Sequence, residues 1–307
     1  MVADYDAASA YVELADWPAV ISQLEAFRRN YPNQPKWQTG VTEKLALAYS
    51  ENGNQALAAR EMLQLSALTP TSQRKQDLMW RAAELYEEAG QPGQAIEIYK
   101  AYPDPLARSI ELRFKIAESY RLAKDSKQRN YWLNEIVIAD ARGAAQRSPR
   151  SKYLAASASL ELTEPLRRAY QQTRLTVPLK NSLGKKKKLM QQSIDAYSRA
   201  MKYQVAEITT EATYQIAEIY LEFARSLLSS QRPGGLSEDE LEEYDLLLEE
   251  QAYPFEEKAI DIHLANFKRI PGGTYDEPTK KSLQALGKLM PFRFARVEIS
   301  DDYVEIQ

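Results

Sequence analysis

The chain has 307 residues, a formal net charge of −3 and a hydrophobic content of 44%, enough for a core and too apolar for wholesale disorder. It contains no cysteine, which excludes disulfides, thiol catalysis and Cys-ligated zinc, and its mild acidity argues against generic nucleic-acid binding. Ala, Leu, Glu, Gln, Lys and Arg dominate and β-branched residues are sparse, a balance that favours helix.

No apolar run approaches the roughly 18 residues of a membrane span, and no signal-peptide pattern precedes the first helix. Met1 leads directly into helix-like sequence. It is therefore either a cytosolic start or the beginning of a piece of a longer or processed protein.

Residues 1–34 read as two helices. Ala7, Ala8 and Tyr11 share one face, Ala15-Asp16-Trp17 makes a turn, Val20, Leu24 and Phe27 follow, and Tyr31-Pro32 ends the pair. Sliding by 38 residues places Ala8 on Ala46, Tyr11 on Tyr49, Val20 on Ala58, Leu24 on Met62 and Pro32 on Pro70. In this second copy, Lys36 to Thr71, Asn52-Gly53-Asn54 is the turn and Leu45 precedes the small residue. A third copy carries Ala82-Ala83, Tyr86, Gly90, Ala95 and Tyr99, and meets Tyr102-Pro103-Asp104-Pro105 early. Two prolines so close cannot lie in a helix interior, so its second helix is expected to be short, with a local change of pitch. A fourth copy has Ile116-Ala117, Tyr120, Lys124-Asp125, Leu133 and Ile136, with Arg129 where a small residue is expected.

Self-similarity at this period is the mark of a helical solenoid. The order large–small–aromatic, turn, small–large, proline resembles the 34-residue tetratricopeptide (TPR) unit, and the resemblance covers roughly residues 1–140. It implies an all-α, right-handed superhelix of antiparallel helix pairs whose inner face binds a peptide or protein. The organisation expected is TPR pairs over 1–142, an extended TPR-like helical domain with longer helices over 143–290, and an irregular tail over 291–307.

After Gly143 the pattern lengthens. Ser151–Thr173 and Lys185–Tyr203 read as long helices joined by Leu175–Leu179 and Asn181–Gly184. Thr209–Ser229 follows, with Tyr214, Ala217, Ile219, Tyr220, Phe223 and Ala224 on one stripe. Arg232-Pro-Gly-Gly235 is a loop, and Ser237 with Glu240 forms a capping box opening the next helix. That helix runs to about Arg269 and is interrupted or kinked near Pro254. Ile270-Pro-Gly-Gly273 breaks the pattern and Thr279–Leu289 closes it. Glu249–Ile260 and Leu289-Met-Pro291 resemble the ends of large TPR proteins of Gram-negative cell envelopes, which implies a periplasmic or envelope setting with a transport or motility complex; the alternative is the cytoplasm.

The sequence shows no GxSxG, GxGxxG or HExxH pattern and no Asp-rich calcium loop. Its one histidine, His263, sits beside Ile262 and Leu264 and is expected to be structural or exposed. No catalytic residue, cofactor or metal is assigned. In a TPR the first helix of each pair lines the concave face, and the side chains off the Ala/Tyr stripe there are Tyr5 and Ser9, Glu43 and Leu47, Trp80 and Glu84, and Phe114 and Glu118, with Glu51, Glu87 and Glu88 further along. The candidate protein-binding set is Tyr5, Glu43, Trp80, Glu84, Glu87, Phe114 and Glu118: aromatic contact area with carboxylates that select basic residues. The competing expectation is that the aromatics pack between helices and the glutamates are ordinary solvated residues. A mode that clamps a C-terminal carboxylate needs Lys, Arg and Asn on this face and does not fit.

Charge is strongly polarised. Between Arg142 and Lys188 twelve Lys/Arg oppose Glu161 and Glu164, and between Glu238 and Asp261 eleven Asp/Glu oppose Lys258. Lys185–Lys188 reads as the start of a helix, where positive charge opposes the macrodipole. Either the two belts neutralise one another within the fold, or one or both dock a charged partner, lipid headgroups or a second copy. The expected function is a non-enzymatic scaffold for a protein or peptide partner, without nucleic acid or a membrane span. The alternative is a self-assembling structural protein whose homo-oligomers form through the opposed belts. An enzyme with a TPR lid would need a convergent polar pocket of which the composition gives no sign.

Overall fold

A computed structural model describes residues 1–70, 72–102, 109–143 and 147–295. These residues form helices and connections, with no strand among them, and they fall into two units, Met1–Ala144 and Ala145–Gln307.

The first unit is four antiparallel helix pairs: α1 (Val2–Glu13) with α2 (Trp17–Asn30), α3 (Pro35–Glu51) with α4 (Gln55–Leu68), α5 (Ser72–Glu88) with α6 (Pro92–Lys100), and α7 (Ile110–Leu122) with α8 (Ser126–Arg142). This is a TPR-like solenoid. One turn geometry recurs inside all four. A residue with positive φ stands at Ala15, Gly53, Gly90 and Lys124. The amide of the residue just before the second helix then donates back to a tyrosine carbonyl: Asp16 to Tyr11, Asn54 to Tyr49, Gln91 to Tyr86 and Asp125 to Tyr120. These are Schellman closures, which satisfy the last carbonyls of the first helix. Glycine supplies the left-handed backbone at two of them, and Ala15 and Lys124 adopt it against their Cβ.

The small residues on the stripe do what their size allows. Ala8, Ala46, Ala83 and Ala117 are all essentially buried, and the larger side chains close over them, Leu24, Leu45, Leu85 and Ile116 among them. Tyr11 departs from the pattern at 37% exposure, because α1 opens the stack and packs chiefly on α2 and α3, while Tyr49 is covered from both sides. α6, at 9 residues against 14 in α4, is the short helix expected; Pro103 and Pro105, the reason given for it, lie outside the described residues, as does Thr71.

The second unit contains α9 (Pro149–Glu161), α10 (Glu164–Gln172), α11 (Leu179–Met201), α12 (Ala206–Leu228), α13 (Glu238–Phe267), α14 (Glu277–Leu289) and the short α15 (Pro291–Phe294). α11, α12 and α13 have 23, 23 and 30 residues, longer than any helix of the first unit, as expected. Three expectations are corrected. Ser151–Thr173 is two helices, because Pro165 opens α10 after Thr163 and proline belongs in a first turn rather than an interior. Asn181–Gly184 is helical, since α11 begins at Leu179; Lys185–Lys188 therefore lies in the second and third turns, not at the helix start. Finally, the interruption expected near Pro254 does not occur, since α13 is continuous through that residue. The tail begins with α15, and 296–307 lie outside the described residues.

α12 is the centre of this unit. Phe223 packs on Phe255 at 4.5 Å, Tyr214 on His263 at 5.8 Å, and Asn266 Nδ2 donates to the Thr210 carbonyl at 2.9 Å. These pairs run antiparallel along α12 and α13 in one constant register.

Candidate protein-binding surface

The first helices of successive pairs are bridged at nearly constant sequence spacing. Arg74 on α5 pairs with Glu43 on α3. Lys115 on α7 reaches Glu84 on α5 at 2.9 Å, and the Ser119 hydroxyl donates to Glu87 at 2.5 Å. The separations are 31, 31 and 32 residues, so the ladder follows the repeat. At the α1–α3 step the bridge is aromatic: Tyr5 packs on Trp37 at 4.7 Å, and its hydroxyl occupies the place where a Cβ on Gly40 would stand.

Of the sequence-predicted residues, Tyr5, Glu43, Glu84 and Glu87 take part in these bridges, and the others have neighbours of their own. Trp80 donates its indole N–H to Glu84 at 3.0 Å and packs edge-on against Tyr99 and Tyr102. Glu118 accepts from Arg121 at 2.7 Å and faces Arg129 at 3.5 Å, which explains the arginine at a position the repeat keeps small. Phe114 is half-buried on α7. Partial burial would raise the Glu84 carboxyl, but the bond and charge of Lys115, with the indole N–H of Trp80, hold it below its ordinary value. Glu87 goes the other way: burial raises it, and Ser119 and Lys115 offset this only in part. The outward remainder of the face includes Leu47, 42% exposed, with exposed Glu51 one turn on.

A second feature was not anticipated. A cavity of about 440 Å³ opens between the ends of α2 and α4 and the start of α3, lined by Phe27, Tyr31, Trp37, Val41 and Leu68. At its edge Arg28 grips Glu61.

In the second unit the surprise is Lys186, which is 2% exposed. Its ammonium donates to the carbonyls of Thr173 at 2.9 Å and Tyr170 at 3.2 Å, closing the C-terminus of α10 as a cation should. Burial draws it below the ordinary lysine value, while Glu222 at 3.9 Å pulls the other way. Arg167 holds the same Glu222 at 2.7 Å. The signal was present in the spacing: Leu179, Leu183, Lys186, Met190, Ser193 and Tyr197 form one alternating four–three stripe. His263 is fully buried, with Glu218 at 3.4 Å, and that imidazole holds the Glu218 carboxyl below its usual range. No group of three acidic or His side chains able to hold a metal occurs among the described residues, and none of their helices is long and apolar enough to cross a membrane.

No family model matches the chain, nor does any curated protein. Among solved structures, a circular tandem repeat protein with a novel repeat topology is similar at 14% identity, covering 93% of this chain and 70% of that one with a TM-score of 0.29. The TPR domain of P58(IPK) is similar at 13% identity, covering 95% of this chain and 99% of that one with a TM-score of 0.24. The likeness to TPR-type repeat proteins is one of fold, and it stands on the helix pairs and turns of this chain.

Proposed function

We propose that the chain is a non-enzymatic scaffold that binds a partner protein or peptide on the face formed by α1, α3, α5 and α7. The observation that supports this is the 31–32-residue ladder, which joins consecutive first helices into one continuous, preorganised surface. A rigid polar frame with apolar contact at Leu47 and carboxylates such as Glu51 suits an extended segment carrying apolar and basic side chains. Cross-linking of the purified chain to native extracts, read by mass spectrometry, tests it. A partner should cross-link to α3 and be lost in a Leu47→Glu, Glu51→Lys variant with an unchanged melt. Capture that persists undiminished in that variant would move the site elsewhere.

The setting within this reading is a bacterial envelope complex of the transport or motility kind. Its support is the resemblance of residues 249–260 and 289–291 to large envelope TPR proteins. Fractionation of the native cell should find the protein with the periplasm or envelope; a purely cytoplasmic pool would remove this part.

A further inference from the structure

The second unit carries opposite charges at one end. The Val177 amide donates to Gln231 Oε1 and the Gln231 amide to the Leu175 carbonyl, both at 3.1 Å. The approach to α11 and the approach to α13 therefore meet at the C-terminal end of α12. Arg232, next along, holds Asp245 at 2.6 Å. α11 starts here and runs back along α12, while α13 starts beyond this end and reaches α12 only further along its length.

The register of α12 against α13 sets Leu228, the last residue of α12, opposite a point near Glu249. Residues Glu238–Leu248 thus extend past α12 for roughly 16 Å at the helical rise of 1.5 Å per residue. Leu248 is buried, but Leu246 is 60% and Leu247 52% exposed. Exposed Glu242, Glu243, Glu249 and Glu250 surround them, and these four have no ion-pair partner among the described residues. Exposed leucines at the centre of a charged rim are the anatomy of a contact surface.

α11 offers the complement. With Lys186 withdrawn into the core, Lys180, Lys185, Lys187 and Lys188 remain exposed, likewise without an ion-pair partner among the described residues. Val177, 43% exposed, stands just before them. One end of one unit thus presents a carboxylate-and-leucine arm and a lysine face together. A surface with both signs side by side is self-complementary under a two-fold axis: the arm of one copy lies on the lysines of the other, and the reverse holds at the same time. We infer that this end of the second unit is a homodimer interface, closed and isologous, distinct from the partner-binding face of the first unit.

Sedimentation or light scattering on the whole chain tests it. At about 100 µM in ~50 mM salt, where screening is weak, the chain should be a dimer, and high salt should loosen it at least tenfold. Reversing α11 (Lys185→Glu, Lys187→Glu, Lys188→Glu) or α13 (Glu242→Lys, Glu243→Lys, Glu250→Lys) should each give monomers with unchanged circular dichroism. Mixing the two variants should restore a dimer of one copy of each, because both contacts become complementary again. Leu246→Ser with Leu247→Ser, which alters exposed positions alone, should weaken the dimer and keeps the test open if a reversed variant misfolds. A wild type that stays monomeric at low salt overturns the inference and leaves a basic partner protein as the occupant of the arm. Open chains of copies would overturn the two-fold form, and a mixture that fails to pair would overturn the charge match.

Discussion

Arg28 grips Glu61 with both terminal nitrogens, at 2.8 and 2.5 Å, and its second nitrogen also donates to the Thr42 hydroxyl at 2.8 Å. The carboxylate is almost fully buried, while the guanidinium keeps one edge at the 440 Å³ cavity. This fastens the second helix of one pair to the second helix of the next. Removing one partner of such a bond strands the other charge away from water. Arg28→Met should destabilise the chain by about 3 kcal/mol, and Arg28→Met with Glu61→Leu by far less. Urea melts of the two single variants and the double variant measure the coupling, and additive losses would show the pair to be unlinked.

Ala46 is 1% exposed between α3 and its neighbours. Ala46→Arg would bring a long cation into a site sized for a methyl group. We expect a loss of about 3 kcal/mol or more and reduced helicity in the first unit. An unchanged melt would refute the register of the repeats.

The left-handed turn residues give a prediction of opposite sign. Ala15→Gly and Lys124→Gly should each stabilise by about 0.5–1 kcal/mol, since the strain at positive φ outweighs the added freedom of glycine when unfolded. Gly53→Ala, at φ 77°, should destabilise by a similar amount. Thermal unfolding of the three variants decides the matter.

Glu84 supplies a pH dependence. Its folded carboxyl lies below the ordinary value because Lys115 and Trp80 favour the charged form despite burial. Its contribution is therefore present above the unfolded carboxylate range and lost as pH falls through the folded value. Glu84→Gln should cost about 1–2 kcal/mol at neutral pH, with the difference from wild type closing in acid. A gap that stayed constant down to pH ~3, below the ordinary glutamate range, would mean that the ion pair contributes little.

Lys186 separates a structural lysine from a surface one within a single run. Lys186→Met leaves the Tyr170 and Thr173 carbonyls without their cation and should cost about 2–3 kcal/mol. Lys187→Met, at an exposed position, should change stability by less than ~0.5 kcal/mol. Urea melts in high salt, where the charged end contributes least, make the comparison.

What could be read in advance follows from how locally each feature is encoded. The four pairs were legible because Ala8, Ala46, Ala83 and Ala117 recur beside tyrosines, and because Gly53 and Gly90 mark two turns whose register locates the other two. The break at Pro165 was equally local but lay inside a run of good helix formers. The start of α11 was hidden by Asn181, Ser182 and Gly184, whose weak propensity, about 1 kcal/mol for the glycine, is overridden as Leu179 and Leu183 pack into the core of the second unit. The ladder was legible in its residues but not in its pairing: Glu43, Glu84 and Glu87 find their partners 31–32 residues on, whereas Glu118 pairs with the nearby Arg121 and Arg129.

That spacing also bears on how the first unit fails. The bridges between first helices each join neighbours in the stack, so strain or heat applied at one end should peel off one hairpin at a time instead of collapsing the stack in a single event.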